Sequence, residues 1–208
     1  MLKSFSLLEK KLIKRGGFLA IDEAGRGSLA GPLVVAGVII DKNVKVDFQV
    51  NDSKMLSAKQ REAIFNILKQ KMKYFTSTIS AKVIDKQGII KAEVKAIRRL
   101  IKKAKTNLVL IDGLPFKTFK NENFIFVVHG DQRLFSLACA SIVAKVYRDR
   151  LLKKLSFFYN LWALGKNKGY GTKEHLKLIK KNGLSPIHRR TFIPSHLLKY
   201  LEKKNSVF

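Results

Sequence analysis

The sequence predicts a mixed α/β layer fold with a helical C-terminal part, and three observations carry that prediction. Short apolar runs bounded by Gly, Pro, Asn or Asp recur between Gly17 and Val128. Segments of helical periodicity alternate with them, and beyond Gln132 only the helical period continues. No internal repeat or low-complexity linker interrupts the chain.

Taken in order, Gly17-Phe18-Leu19-Ala20-Ile21 is a short buried strand that ends on Asp22 and Glu23. Because side chains alternate along a strand, one of these two carboxylates faces a site and the other faces away. Leu33 to Ile40 is β-branched, follows Gly31-Pro32 and precedes Asp41-Lys42-Asn43, so it reads as a strand buried on both faces and paired with the first. Ser57-Ala58-Lys59-Gln60 has the spacing of a capping box and opens a helix with Ala63, Ile64, Ile67 and Leu68 on its apolar side. Phe75, Ser77, Ile79, Ala81 and Val83 alternate with polar residues, which predicts a half-exposed strand over the whole stretch. Ile89 to Lys105 is a basic amphipathic helix. Leu108-Val109-Leu110-Ile111 is a strand closed by Asp112-Gly113, and Phe124 to Val128 is another that ends near Asp131. A long helix from Gln132 to about Phe158 is rich in small residues that allow close packing on a sheet. Thr172 caps a helix that Gly183 stops near Asn182, and a last helix runs from Pro194 to Lys203.

Lys and Arg number 42 against 15 Asp and Glu, a formal net charge of +27 over 208 residues. Such an excess points to a polyanionic partner, nucleic acid first, although a Lys-biased codon usage would raise the count as well. Its densest face is Lys91, Lys95, Arg98, Arg99, Lys102 and Lys103, which reads either as a backbone-binding stripe or as a solvated helix surface. The single cysteine, Cys139, sits in an apolar run and suits a core position in a reducing compartment. No apolar stretch has the length of a membrane span and the N-terminus has no signal-peptide pattern, so the expectation is a soluble, cytoplasmic protein without membrane contact.

Against this basic background, the four acids that follow strands stand out: Asp22, Glu23, Asp112 and Asp131. Clustered carboxylates repel one another unless divalent cations neutralise them, and oxygen-only ligands select Mg²⁺ or Mn²⁺. Two such ions activate water and stabilise the leaving oxygen of an in-line phosphodiester attack. Beside the acids lies Gly25-Arg26-Gly27, where glycines and a guanidinium fork permit close approach to a phosphate or sugar. His129, His175, His188 and His196 make no zinc spacing with Cys139, and neither a Gly-x-Ser-x-Gly elbow nor a Walker-type loop is present.

Seven ordered blocks between Gly17 and Phe192 resemble the bacterial ribonuclease HII family. They are Asp22-Glu23-Ala24-Gly25-Arg26-Gly27, Asn51-Asp52-Ser53-Lys54, Ile111-Asp112-Gly113, Gly130-Asp131, Ala140 to Val146 with Arg148-Asp149, Lys168-Gly169-Tyr170-Gly171-Thr172, and His188-Arg189-Arg190-Thr191-Phe192. The resemblance implies a ribonuclease H-like fold, a central mixed β-sheet flanked by helices with a helical C-terminal extension. It implies cleavage of the RNA strand of RNA–DNA hybrids, and incision 5′ of single ribonucleotides in duplex DNA by two metal ions, Mg²⁺ or Mn²⁺. It further implies products with 3′-hydroxyl and 5′-phosphate ends, and cellular roles in ribonucleotide excision repair and removal of RNA from hybrids. Carried over, Asp22, Glu23, Asp112 and Asp131 are catalytic and metal-binding. Gly25, Arg26, Gly27 and Tyr170 sense the 2′-hydroxyl, the group that separates ribonucleotide from DNA. Asn51, Ser53 and Lys54 suit phosphate contacts, as they also suit a loop before a capped helix.

Two residues depart from the family's usual pattern: His129 stands where Lys is common before Gly-Asp, and Tyr147 where Thr is common before Arg-Asp. His175 and His188 read equally as duplex-facing or as local caps. The expected organisation is a lead-in segment over residues 1–16, a catalytic domain over 17–192, and a C-terminal helix and tail over 193–208. That helix docks either on the core or on a replication partner, and monomer is the default state. A structure-selective DNA nuclease on the same fold is the rival enzyme, without use for a 2′-hydroxyl sensor. A non-catalytic nucleic-acid-binding protein is the rival outside enzymes, and it leaves the four acids unexplained.

Overall fold

Two apolar runs rich in β-branched and aliphatic residues form the middle of a sheet: β1 (Phe18–Ala24) and β2 (Leu33–Ile40) pair antiparallel from Phe18 opposite Ile40 to Ala24 opposite Val34. The computed structural model describes the chain except Met1, Lys3, Asn51, Asp52, Lys54, Lys120 and residues 206–208. The described elements continue with α1 (Leu7–Lys14) ahead of β1, then α2 (Ala58–Lys71), β3 (Tyr74–Ile79), α3 (Ala81–Gln87), α4 (Ile89–Ala104), β4 (Val109–Asp112) and β5 (Phe124–Val127). After them come α5 (Gly130–Arg133), α6 (Phe135–Phe158), α7 (Leu164–Asn167), α8 (Lys173–Asn182) and α9 (Ser195–Asn205). Among the described residues, no helix is long and apolar enough to cross a membrane.

The chain groups into two compact units. The first comprises Met1–Ala24, Val34–Thr78 and Glu93–Tyr147, and it holds a five-stranded sheet in the order β3-β2-β1-β4-β5. β1 is parallel to β4, and β4 is parallel to β5, so the sheet is mixed. Alternation divides its two faces. Phe18, Ala20, Ala36, Val38, Ile40 and Leu110 meet the apolar surface of α6, where Leu137, Ala138, Cys139, Ile142 and Val146 are buried. The small residues at 138, 139, 140 and 144 let that helix lie close to the strands. The other face takes α4, whose Leu100 lies over Gly37 of β2 beside Leu19. α1 seals one side of this core with Leu12, and its buried Glu9 accepts a hydrogen bond from the backbone N–H of Ser136 at 2.8 Å. Ser6 and Glu9 form a capping box for α1, an element absent from the sequence reading. α2 begins as its Ser57–Gln60 capping box requires and buries Phe65 and Leu68.

The second unit comprises Gly25–Leu33, Ile79–Ala92 and Arg148–Phe208. α8 starts at the Thr172 cap and ends at Gly183, as the sequence requires. Ile179, Ile193, Leu197 and Leu201 form a small core between α8 and α9. Asp85 of α3 ties in the tail: its carboxylate accepts from the backbone N–H groups of Arg190 (2.9 Å) and Thr191 (3.1 Å) and from the Thr191 hydroxyl (2.6 Å).

Three boundaries differ from the sequence reading by three residues or more. The alternating strand ends at Ile79, and Ala81 and Val83 lie in α3, because the Ser80 side chain accepts from the Val83 N–H and starts a helix there. β1 runs past Ile21 to Ala24, so Asp22 and Glu23 lie within the strand. The long helix begins at Phe135; Gln132 belongs to the separate turn α5, which also carries Asp131.

Candidate active site

In the first unit, β1, β4 and the turn after β5 converge their acids. Asp22 is on the face of β1 that looks towards α6, two residues before Ala24 on the same side. Asp112 is the last residue of β4, the parallel neighbour of β1, and Asp131 is in α5. One carboxylate oxygen from each of Asp22, Asp112 and Asp131 lies within 4.8 Å of the others. Glu23 is the next residue on β1, and its N–H donates to Asp22 Oδ1 at 2.7 Å. It falls outside the three-residue cluster, although its charge acts on Asp22.

A sharp turn delivers Asp131. His129 adopts the left-handed conformation at φ 54°, which a non-glycine residue takes only at some cost. A Cβ on Gly130 would lie 2.2 Å from Leu137 Cδ1, so a larger residue there would have to push the Leu137 side chain aside for the turn to sit on α6. The N–H of Gly130 then donates to Asp112 Oδ1 at 2.9 Å and that of Asp131 to Asp112 Oδ2 at 3.3 Å.

Two of the three acids are shifted towards their neutral forms. Burial raises the Asp22 carboxyl well above the usual range, and the charges of Glu23 and Asp112 raise it further, against a hydrogen bond from Ser141 and the Lys145 ammonium. Burial also raises Asp112, opposed by the Gly130 N–H and reinforced by Asp131. Three oxygens at ion-sharing distance, two of them on acids reluctant to ionise, fit a hard divalent cation. Behind Asp22, Ser141 Oγ lies 2.9 Å from Ser53 Oγ and accepts from Lys145 Nζ at 3.0 Å, and Lys145 also donates to Ser53. Ser53 is thus buried in an internal network, while Asn51 and Lys54 lie outside the described residues.

In the second unit the glycine loop is built on two buried guanidinium groups. Arg148 and Arg189 are 2 % and 0 % exposed. Arg148 donates to the carbonyls of Pro32 (3.0 Å), Lys168 (2.9 Å) and Ala30 (3.2 Å) and to Ser28 Oγ (2.7 Å). Arg189 donates to the carbonyls of Arg26 (2.8 Å) and Gly31 (3.1 and 3.0 Å). Burial lowers both, Arg189 to about 10 with help from the Arg148 charge. Gly25 has φ +85°, and a Cβ there would lie 1.9 Å from Arg148 Nε. At Gly27 a Cβ would meet nothing within 4 Å, so no packing explains that glycine. Arg26 is exposed. Tyr170 is half-exposed, with the Arg148 guanidinium 5.4 Å from its ring centre. Leu29 and Ala30 donate their N–H groups to the Gly169 carbonyl at 2.8 and 3.1 Å, so Gly25, Arg26, Gly27 and Tyr170 belong to one hydrogen-bonded assembly.

Sequence reasoning missed the part played by Arg148 and Arg189, because all their hydrogen-bond partners but the Ser28 hydroxyl are backbone carbonyls and no residue type signals a carbonyl. It left His175 and His188 open. Both are buried and face each other, with Nε2 atoms 3.2 Å apart, and neither faces outward.

A mixed sheet with carboxylates gathered from two parallel strands and the following turn places the molecule among the nucleases of ribonuclease H-like fold. The profile described as Ribonuclease HII matches residues 19–195, and the chain belongs to the ribonuclease HII family. It is 41 % identical over 183 residues to the ribonuclease HII of Clostridium botulinum, covering 85 % of this chain and 68 % of the relative. To that of Rickettsia akari it is 45 % identical over 174 residues, covering 83 % and 89 %. The crystal structure of ribonuclease H2 from Pyrococcus horikoshii is similar with a TM-score of 0.74 at 29 % identity, over 91 % of this chain and 99 % of that one. The chain is therefore an enzyme, a ribonuclease H of type HII.

Proposed function

We propose that the enzyme hydrolyses the RNA strand of RNA–DNA hybrids and incises duplex DNA 5′ of a single embedded ribonucleotide, leaving 3′-hydroxyl and 5′-phosphate ends. The observation that carries the chemistry is the meeting of Asp22, Asp112 and Asp131 oxygens within 4.8 Å. These three, with Glu23, would hold Mg²⁺ or Mn²⁺. Bound in a pair, such ions supply an activated water and stabilise the leaving oxygen. The chain's own contribution is to fix the acids before substrate arrives: the Gly130 and Asp131 N–H groups orient Asp112, and Ser141 with Lys145 steadies Asp22. Gly25, Arg26, Gly27 and Tyr170 check the sugar. A 2′-hydroxyl both donates and accepts, and a loop whose carbonyls are held inward by Arg148 and Arg189 keeps its geometry while presenting Arg26 outward.

The exposed cations of α4 support a backbone-binding role. Lys91, Lys95, Arg98, Arg99, Lys102 and Lys103 are all solvent-exposed, while Glu93, the one acid of the helix, is buried. Neutralising any one that contacts phosphate reduces the salt slope of duplex binding by about one.

The test is cleavage of an end-labelled DNA duplex with one ribonucleotide, in Mg²⁺, Mn²⁺ or chelator, beside an all-DNA duplex and the Asp22→Asn variant. A single metal-dependent cut 5′ of the ribonucleotide, lost in the variant and absent from the all-DNA duplex, is the expected result. Cutting of the all-DNA duplex overturns the sugar-sensing role. Salt-sensitive binding with no cut in either metal overturns the reaction.

A further inference from the structure

The two buried imidazoles have no part in the chemistry above, yet their hydrogen bonds run in one direction towards Tyr170. The Ser185 N–H lies 2.9 Å from His188 Nδ1, and the Ser185 hydroxyl 2.7 Å from the same atom. A backbone N–H only donates, so Nδ1 of His188 is the unprotonated nitrogen and its proton is on Nε2. That Nε2 is 3.2 Å from Nε2 of His175, which must therefore accept. His175 in turn carries its proton on Nδ1, 2.8 Å from the carbonyl oxygen of Tyr170. One assignment of protons satisfies all of these contacts, and both rings are neutral in it.

The relay joins two segments of the proposed sugar-reading assembly. His188 forms an isolated antiparallel bridge with Ala30; its neighbours continue the pairing, Ile187 accepting from the Gly31 N–H at 2.8 Å and Arg189 donating to the Leu29 carbonyl at 2.7 Å. His188 is thus fixed to the glycine loop. His175 is fixed to α8, where its N–H donates to the Thr172 hydroxyl, and its ring holds the residue that carries the Tyr170 side chain. The Trp162 ring packs edge-on against His188 at 5.7 Å. A chain of this kind resists rotation of any member, since turning one ring orphans a buried donor or acceptor.

We propose that His188 and His175 are positioning residues that set the Tyr170 side chain relative to the glycine loop and so tune recognition of the 2′-hydroxyl. The inference rests on the sugar-sensing role of Tyr170. It assigns these histidines neither a metal nor a proton-transfer role. A misplacement of about 1 Å at a recognition residue lowers catalytic efficiency by up to about a hundredfold.

Two measurements test it. Nitrogen-15 imidazole spectra at pH 8 read the tautomers without any cleavage assay: Nε2–H at His188 and Nδ1–H at His175 are expected, and the opposite tautomer at either ring overturns the relay. The second measurement is a cycle among His188→Phe, Tyr170→Ala and the double variant, with kcat/KM for the single-ribonucleotide duplex as readout. His188→Phe is expected to lower kcat/KM tenfold or more, with no further loss once Tyr170 is gone. His188→Gln, whose amide again donates towards His175, is expected to restore most of it. Losses that multiply in the double variant overturn the positioning role, as does full activity of His188→Phe. If the tautomers are as assigned but Tyr170→Ala cuts normally, it is the sugar-sensing reading that fails.

Discussion

The acidic cluster and the glycine loop handle buried charge in opposite ways. At the cluster, like charges crowd together, and N–H groups, Ser141 and Lys145 are set against them; Asp22 and Asp112 remain shifted towards their neutral forms. In the loop, two guanidinium groups are buried just as deeply, and their donors are matched by backbone carbonyls and one serine hydroxyl. Both pairs of charges are shifted towards neutrality, but the guanidinium groups are held by carbonyls that depend on them in turn, whereas the acids crowd one another. Removing a charge therefore has opposite consequences in the two places. It relieves the cluster and ruins the loop.

The sharpest break is Asp22→Asn. Activity falls by about a thousandfold or more, as expected when a group that stabilises the transition state is lost. Stability of the metal-free protein rises at neutral pH, because a carboxyl raised in the fold opposes folding once it is ionised in the unfolded chain. A thermal midpoint a few degrees higher, with no cutting in Mg²⁺ or Mn²⁺, is the expected pair of results. A lower midpoint would show that the carboxylate holds the fold together, and the contrast would disappear.

Next in size is Gly25→Ala. The new methyl group displaces Arg148 and forces an alanine to φ +85°, so a loss of about 2–4 kcal/mol is expected in urea unfolding. Gly27→Ala is its control. With open space at its Cβ, that variant is expected to keep stability within about 0.5 kcal/mol, so any drop in its cutting reports approach of the substrate to the backbone.

The smallest effect is a pH dependence. His188 is lowered from 6.5 to about 4 by burial and by the neighbouring His175. Between those values the unfolded chain takes up a proton that the fold refuses. Its contribution is therefore fully present above pH 6.5, declines as pH falls towards 4, and levels off below. Urea midpoints of His188→Gln are expected to fall less steeply across that window than those of the parent chain.

Much of the fold could be read from local chemistry. β2 has the bounds that its apolar run and flanking Gly-Pro set, and the caps at Ser57 and Thr172 start helices where they should. The strand through 83 failed because alternation at Ala81 and Val83 is equally compatible with a helix once Ser80 caps it. The acids stood out because carboxylates after apolar runs are rare in so basic a chain; in the fold Asp22, Asp112 and Asp131 come together, whereas Glu23, expected with them, lies outside the group. Ser53 illustrates a limit: a polar residue in a loop gives no sign that it is buried beside Ser141 and Lys145. The histidine relay was hidden for a related reason. Thirteen positions separate its members, and only the folded backbone aligns their rings.

The fit between Gly25 and Arg148 also constrains how the sequence can drift. Any side chain at position 25 collides with the guanidinium, and loss of the guanidinium strands the carbonyls of Ala30, Pro32 and Lys168. Neither position can change first without passing through a damaged intermediate. The two should therefore vary together or not at all, a pair of distant letters that heredity treats as one.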